Sequence, residues 1–140
     1  MSNLEIVEKM YHCFQTGDME TLKTEVFAED LVWNLPGHHP IAGSKKGIAE
    51  VLAFFGSLRK LGLQVTPQGM GEIGNDAVAE FYRGQGEVNT VKLNAFNCNY
   101  YKIRDGKIAE VQVFMSDQHG YDAFFWVAVE LKPLPDRLAS

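Results

Sequence analysis

The order of the predicted elements places this chain in the α+β class, with helices packed on one side of a bent, mostly antiparallel sheet. Two observations carry this prediction. Apolar side chains recur at helical spacing over most of residues 1–62, whereas an alternation of period two dominates from residue 63 onward. The later strands follow one another without intervening helices, which is typical of an antiparallel meander.

The first two helices have recognisable ends. Ser2 and Glu5 form a capping box, and the apolar spacing that follows continues until Gly17 ends the first helix. Asp18 is suited to cap a second, shorter helix, which we predict to break at residues 28–30. The chain therefore begins with two consecutive helices.

One further helix, a series of strands and a closing helix account for the rest of the chain. Ser44 is predicted to cap the third helix, and Gly62 to end it. The predicted strands span residues 31–35, 63–66, 77–83, 91–103 and 108–116, and the closing helix spans residues 119–130.

At 140 residues the chain is expected to form one domain, large enough to bury a core without disulfide or metal staples. We assign residues 1–131 to this domain and residues 132–140 to a C-terminal tail. Cys13 and Cys98 lie far apart and form no CxxC pair, so we predict reduced thiols.

Charge and hydropathy argue against several classes of partner. The net charge is −5 at pH 7 and no basic run exists, which argues against nucleic acid or an anionic membrane. No apolar run approaches the ~20 residues that span a bilayer, and the acidic N-terminal residues do not form a secretory signal. We therefore expect a cytoplasmic protein.

The longest predicted hairpin, residues 90–117, is central to the prediction of a binding site. Its dipeptide Asp-Gly at 105–106 suits the positive φ angles of a tight turn. A three-residue loop with a bulge at the glycine would set Asn99 opposite Val111, and a two-residue loop would set it opposite Gln112. We assume the bulged form.

The period-two pattern gives each arm of this hairpin one row of side chains on the same face. The two rows comprise Ala95, Asn97, Asn99 and Tyr101 in the first arm, and Val111, Val113, Met115 and Asp117 in the second. A curved sheet that carries a few polar groups among apolar ones is typical of a small-molecule pocket.

The strand at residues 77–83 offers two further pairs of side chains. Glu80 and Tyr82 share one face, and Phe81 and Arg83 share the other. The pattern leaves open which pair faces the pocket, and an inward Arg83 would favour an anionic or carbonyl-bearing ligand.

Neither a nucleotide nor a metal is predicted. The glycines at residues 69–74 fit GxGxxG, but a strand-like segment follows where a dinucleotide fingerprint needs a helix. Asp117 and His119, with His38 or His39, could form a metal set, but a helix that begins between Asp117 and His119 would destroy its geometry. We therefore predict no cofactor and no metal.

The chain resembles the SnoaL-like branch of the NTF2-like superfamily, which includes ketosteroid isomerase and polyketide cyclases. The resemblance rests on residues 33–37, 41–43, 46–47, 104–111, 117–118 and 122–126. It implies a cone-shaped fold in which a curved sheet wraps around a pocket and three to four helices complete the walls. Since the relatives also include pure binding modules, the fold does not determine the activity.

Comparison with ketosteroid isomerases implies an altered site. Their base aspartate corresponds to Leu35, and their first-helix phenol corresponds to Met10, with Tyr11 one step away. Their second oxyanion donor corresponds to Asn99, whose amide can donate the same hydrogen bond without a shifted pKa.

Comparison with the cyclases implies an acid/base residue near the end of the last strand, where Asp117 lies. Apolar walls around it would raise its pKa and suit it to proton transfer near neutral pH. The alternative is that Asp117 only caps the final helix.

These inferences predict cofactor-free acid/base chemistry, as an isomerase or aldol-type cyclase, on a small apolar ligand that carries a carbonyl group. Asp117 would transfer protons, Asn99 and Tyr101 would hold the oxyanion, and His39 would assist at the mouth. The remaining ligand contacts would come from Trp33, Asn97, Phe54, Met115, Val113 and His119. The alternative is a non-catalytic binding module.

Relatives of this fold usually pair through the outer face of the sheet. In this chain the outward row includes Tyr100, Lys102, Gln112 and Phe114, a mixed polar and aromatic surface that suits a symmetric interface. We therefore predict a homodimer.

Overall fold

The computed structural model describes residues 1–129 and contains four α-helices, one π-helical turn and six strands within them. The elements in chain order are α1 (Asn3–Thr16), α2 (Met19–Thr21), a π-helical turn (Leu22–Val26), β1 (Phe27–Leu35), β2 (Gly43–Lys46), α3 (Gly47–Lys60), β3 (Gln64–Ile73), β4 (Ala77–Val88), β5 (Val91–Arg104), β6 (Lys107–Met115) and α4 (Gln118–Ala128). The predicted tail, residues 132–140, lies outside the described residues.

The six strands form one sheet in the order β2-β1-β6-β5-β4-β3. All neighbouring strands are antiparallel except β1 and β6, which run parallel. A core of apolar side chains lies between the concave face of this sheet and the helices, as in Val7, Val51 and Phe124, which have no exposed surface. The predicted α+β architecture is confirmed.

The predicted ends of the first helices are confirmed. The Ser2 hydroxyl accepts a hydrogen bond from the Glu5 N–H at 3.2 Å, and the Glu5 carboxylate accepts one from the Ser2 N–H at 3.1 Å. Gly17 ends α1 with a φ of 73°, and Asp18 caps α2 through the Thr21 N–H. These caps could be predicted from the sequence because each involves residues only a few positions apart.

Two predicted boundaries were wrong. The second helical segment ends at Val26, before the predicted break at residues 28–30, and these residues already belong to β1, because Phe27 and Ala28 bury their side chains in the core. Ser44 does not cap α3 but lies in β2, where its hydroxyl donates to Asn34 on β1 at 2.6 Å. Pairing between strands outweighed the local preference of serine for a cap.

The register of the central hairpin differs from both predicted alternatives. Asp105 and Gly106 form a two-residue turn with φ angles of 53° and 75°, and the extra residue is Ala109 in β6. Asn99 therefore lies opposite Val113. Relative to the assumed bulged form, the register is displaced by two residues, so the predicted rows as far as Tyr101 and Met115 still share one face, which is the concave one.

The remaining segments of note lie on the sheet. The glycine-containing residues 69–74 run through the end of β3 and its turn, with a bulge between Pro67 and Gly69. Both cysteines are free, Cys13 on α1 and Cys98 on β5. Over residues 1–129, no helix combines the length and the apolar character that a membrane crossing requires.

Candidate functional site

A cavity of about 340 Å³ lies between the concave face of the sheet and helices α1, α3 and α4. Apolar and aromatic side chains form most of its surface, with a small group of amides and phenols on β4, β5, α1 and α4. The lining residues are Met10, Tyr11, Phe14, Trp33, Leu35, Phe54, Phe55, Leu58, Arg59, Leu63, Val65, Tyr82, Gly84, Asn97, Asn99, Tyr101, Val113, Met115, Tyr121 and Phe125.

The apolar wall is an aromatic cluster joined to the hairpin. Trp33 packs edge-on against Phe55 with ring centroids 4.7 Å apart, and Phe54 lies 6.5 Å from Trp33. Val113 and Met115 continue this wall along β6. All of the predicted apolar contacts therefore line the cavity, and they provide a dry surface for a flat ligand.

A buried carboxyl group, Glu80 on β4, lies directly behind the polar part of the cavity. Its side chain has no exposed surface, and one carboxyl oxygen, Oε1, accepts hydrogen bonds from the phenols of Tyr11 at 2.6 Å and Tyr101 at 2.8 Å. Burial raises the pKa of Glu80 above its ordinary value of 4.5, while the two phenols oppose this effect. Glu80 is thereby placed closer to the range useful for proton transfer near neutral pH.

The hydrogen bonds around Glu80 form a directed chain. The Tyr82 phenol donates to Asn99 Oδ1 at 2.8 Å, and Asn99 Nδ2 donates to the Tyr101 phenolic oxygen at 3.2 Å. Tyr101 in turn donates to Glu80. Burial raises the pKa of the Tyr11, Tyr82 and Tyr101 phenols, so all three stay protonated and act as donors.

A second polar group in the cavity lining is the hydrogen-bonded pair of Asn97 on β5 and Tyr121 on α4. The Asn97 amide donates through Nδ2 to the Tyr121 phenolic oxygen, and both side chains are buried. This contact joins the last helix to the sheet. Arg59, by contrast, lies at an exposed part of the cavity lining and contributes the one positive charge among the lining residues.

Asp117 does not face the cavity, contrary to expectation. Its exposed carboxylate caps α4 by accepting a hydrogen bond from the Gly120 N–H at 2.9 Å. His119 follows on the same helix and is also exposed, outside the cavity lining. The helix begins directly after Asp117, which turns both side chains away from the face of Met115.

His39 is also placed away from the cavity, in the loop between β1 and β2. Its ring is buried against Phe125, with Nε2 3.2 Å from the Pro36 carbonyl oxygen and Nδ1 accepting from the Ile41 N–H at 3.3 Å. Burial lowers the pKa of His39, although Asp122 opposes this. The imidazole is therefore neutral and holds the loop, while His38 is exposed.

Of the predicted polar site residues, the structure brings together Asn97, Asn99 and Tyr101. It adds Tyr11, Glu80 and Tyr82, which the alternation along β4 and the spacing along α1 had left unassigned. Arg83 points outward and lies 4.1 Å over the ring of Phe96. The signal that could have identified Glu80 is its register opposite Asn99, which only strand pairing reveals.

Metal ligands are not gathered anywhere in the described part of the chain: residues 1–129 contain no group of three or more His, Cys, Asp or Glu side chains that could hold an ion. The polar groups that line the cavity are amides and phenols, with the Arg59 guanidinium at its exposed part.

The comparisons with solved structures show close similarity over nearly the whole chain. Bal32a, from a soil-derived mobile gene cassette, is 28% identical, with a TM-score of 0.78 over 88% of this chain and 95% of its own. An NTF2-like protein from Burkholderia xenovorans is 21% identical, with a TM-score of 0.69 over 81% of this chain and 88% of its own.

TerC, co-crystallised with polyporic acid, is 20% identical, with a TM-score of 0.70 over 87% of this chain and 97% of its own. At this level of identity the similarity to TerC and to the Burkholderia protein establishes a shared NTF2-like fold alone. A comparison with curated proteins found no match.

The family comparison covers three quarters of the sequence. Residues 7–111, from α1 to the middle of β6, match the family described as SnoaL-like domain. This span includes Tyr11, Glu80, Tyr82, Asn99 and Tyr101, and with them the whole hydrogen-bonded chain behind the cavity. The protein belongs to the SnoaL-like domain family and has an NTF2-like fold.

Proposed function

We propose that this protein is a cofactor-free enzyme that enolises a small, largely apolar carbonyl compound, in the course of an isomerisation or an aldol-type cyclisation. One observation carries the proposal: a buried carboxyl group, Glu80, is linked by two short hydrogen bonds to phenols that line an apolar cavity. A buried acid of raised pKa beside a cavity is a common feature of sites that transfer protons.

The carbonyl oxygen would bind at the free N–H of Asn99, because the single O–H of Tyr101, the other predicted oxyanion donor, already donates to Glu80. The Asn99 amide is held from behind by the Tyr82 phenol, which fixes its orientation and leaves an N–H free for a ligand. Donors fixed in advance in a dry site stabilise the negative charge that develops on the oxygen during enolisation.

The proton would travel through Tyr11. With Glu80 in its carboxylate form, the bond between the α-carbon and its hydrogen breaks, the proton passes to the Tyr11 phenolic oxygen, and the proton of Tyr11 passes to Glu80 Oε1, 2.6 Å away. The electron pair of the broken bond moves to the carbonyl oxygen. Return of the proton to a different carbon completes an isomerisation, and attack of the enolate on a second carbonyl completes a cyclisation.

The similarity to TerC supports the ligand class. TerC shares the fold and was co-crystallised with polyporic acid. The cavity of this protein, with aromatic walls and Arg59 in its lining, suits a flat ligand of that general kind.

A non-catalytic binding module remains the second candidate. It is favoured by the lining itself, in which Glu80 has no direct exposure to the cavity and Leu35 occupies the position of the isomerase base. Such a module would use the same amides and phenols to bind a carbonyl compound without reaction.

Exchange of α-protons for deuterium separates the two candidates, because enolisation is the step that isomerases and cyclases share. Cyclic aromatic ketones that bind the cavity would be incubated in D₂O, and exchange followed by NMR between about pH 5 and 9. We expect catalysed exchange by the wild type and a loss of about 10² to 10⁴-fold in Glu80→Gln.

The matched control is Glu87→Gln, which changes an exposed carboxylate on the same strand and should leave exchange unchanged. Binding without catalysed exchange, across the whole pH range and for every ketone bound, would establish the binding module instead.

A further inference from the structure

The amide of Asn97 has an unfilled hydrogen-bonding position. Asn97 is only 4% exposed and lines the cavity, and its Nδ2 donates to the Tyr121 phenol. Its carbonyl oxygen Oδ1 is almost fully buried and has no hydrogen-bond partner among residues 1–129. Buried polar atoms in folded proteins are nearly always paired, so an unpaired acceptor in a cavity wall indicates a ligand that supplies a donor.

The Tyr121 hydroxyl adds a hydrogen-bond donor beside Asn97. The phenolic oxygen accepts from Asn97, and within the described residues its own O–H donates to no acceptor. The phenol lies against the backbone of β4 at Gly84, where a Cβ atom would collide with the phenolic oxygen. Gly84 therefore makes the space that brings the Tyr121 hydroxyl beside Asn97 at the cavity.

An acceptor and a donor side by side match one kind of ligand group. A hydroxyl donates one hydrogen bond, here to Asn97 Oδ1, and accepts another, here from the Tyr121 O–H. An ether oxygen in the same place accepts from Tyr121 but leaves Asn97 Oδ1 unpaired. Sites of this construction discriminate against analogues that lack the hydroxyl.

We propose that Asn97 and Tyr121 form a hydroxyl-binding subsite, so that the ligand of this cavity is a hydroxylated carbonyl compound. The assignment of the carbonyl end to Asn99 rests on the proposed function. Asn97 and Asn99 are two residues apart on β5, so their anchoring points are separated by roughly 7 Å along the strand. The ligand would carry its hydroxyl at about that distance from its carbonyl oxygen, across one or two fused rings.

A matched pair of ligands tests the subsite directly. The probes are 6-hydroxy-1-tetralone, an aromatic ketone with a phenolic hydroxyl on the far side of the ring system, and its methyl ether, 6-methoxy-1-tetralone. Dissociation constants would be measured by calorimetry for the wild type, Asn97→Leu and Tyr121→Phe. Asn94→Leu, on the same strand but exposed on the outer face, is the control.

We expect the wild type and Asn94→Leu to bind the hydroxy compound about tenfold more tightly than the ether, the value of one well-placed hydrogen bond. Asn97→Leu should abolish this preference, and Tyr121→Phe should reduce it. If Asn97→Leu fails to fold, Gly84→Ala, which displaces the Tyr121 phenol, should reduce the preference instead.

Equal binding of the two tetralones by the wild type, or a preference that persists in Asn97→Leu, would overturn the subsite, as would failure of both compounds to bind at millimolar concentration. Exchange of the tetralone α-protons is scored separately. A hydroxyl preference without exchange would uphold the subsite and contradict the proposed enzyme, and exchange without a preference would do the reverse.

Discussion

At the scale of single residues, the buried carboxyl group of Glu80 is the feature on which the proposed chemistry depends. Two phenols donate to one of its oxygens, while the other, Oε2, is buried without a partner among residues 1–129. Ionisation of such a group is opposed by the loss of water and assisted by the phenols, and burial dominates. Ionisation of Glu80 therefore lowers the free energy of unfolding, which stability measurements can detect.

Replacement of Glu80 by Gln should change how stability depends on pH. Because burial raises the folded-state pKa above the ordinary 4.5, the folded wild type holds a proton that the unfolded chain has released in the pH range between these two pKa values. Its free energy of unfolding should therefore fall as pH rises from about 4.5 through the folded pKa, whereas Glu80→Gln lacks this decrease.

The measurement is urea unfolding of both proteins at about pH 4 and about pH 8. We expect the variant to gain stability relative to the wild type at the higher pH. A difference between the two proteins that stays constant or shrinks with rising pH would contradict a raised pKa at Glu80.

Asp117 offers a test that separates a helix cap from a proton donor. In Asp117→Asn the side chain can still accept from Gly120, so neither stability nor ketone exchange should change much. In Asp117→Ala the cap is lost, which should cost about 1 kcal/mol in thermal or urea unfolding. A loss of about 10²-fold or more in exchange for Asp117→Asn would instead restore Asp117 as the acid/base residue.

At the scale of elements, the β5–β6 hairpin sets the positions of Asn97, Asn99 and Tyr101 on the concave face. Its register depends on a turn in which both central residues have positive φ and on the bulge at Ala109. Residues other than Gly, Asn and Asp rarely adopt this backbone conformation, which explains the Asp-Gly pair.

Two glycine substitutions should act in opposite directions. Gly106→Ala introduces a Cβ at a φ of 75° and should destabilise the protein by about 1 kcal/mol, although no neighbouring atom obstructs it. Gly56→Ala lies in the exposed interior of α3 with open space around it and should stabilise by roughly 0.5–1 kcal/mol. Urea unfolding of both variants checks this, and equal effects would show that backbone conformation is not the cause.

At the scale of the whole molecule, the sheet has two unlike faces. The concave face encloses the cavity, while the convex face exposes large aromatic side chains: Phe81 and Phe114 are each 55% exposed and Phe96 is 45% exposed. The three lie on adjacent strands β4, β5 and β6. A cluster of exposed aromatic side chains on a sheet favours association with another protein chain.

We expect the protein to form a homodimer through this convex face. Light scattering at micromolar concentration should give about twice the 15.7 kDa chain mass, and Phe114→Asp should reduce the mass to one chain. As a control for folding, the near-ultraviolet circular dichroism of Phe114→Asp should match that of the wild type, because Trp33 and Phe55 pack together inside the cavity, away from the substitution. A wild-type mass near one chain would refute the dimer.

The sequence by itself determined the α+β class, the family resemblance, the capped ends of α1 and, as far as Tyr101 and Met115, the two rows of side chains on the concave face. The resemblance rests on matching motifs, and the other features depend on capping and periodicity, which involve residues close together in the sequence. The apolar contacts Trp33, Phe54, Val113 and Met115 could therefore be predicted.

Only the tertiary structure decided which polar groups meet. Glu80 accepts hydrogen bonds from Tyr11 and Tyr101, which are 69 and 21 residues away in the sequence. These contacts depend on the strand register and on how α1 packs against the sheet. Asp117 and His39 carried the expected chemistry but not the expected position, since a helix start and a loop anchored by Pro36 and Ile41 turn them away. Residue type and spacing specify a face, whereas the pairing of faces across the core specifies the site.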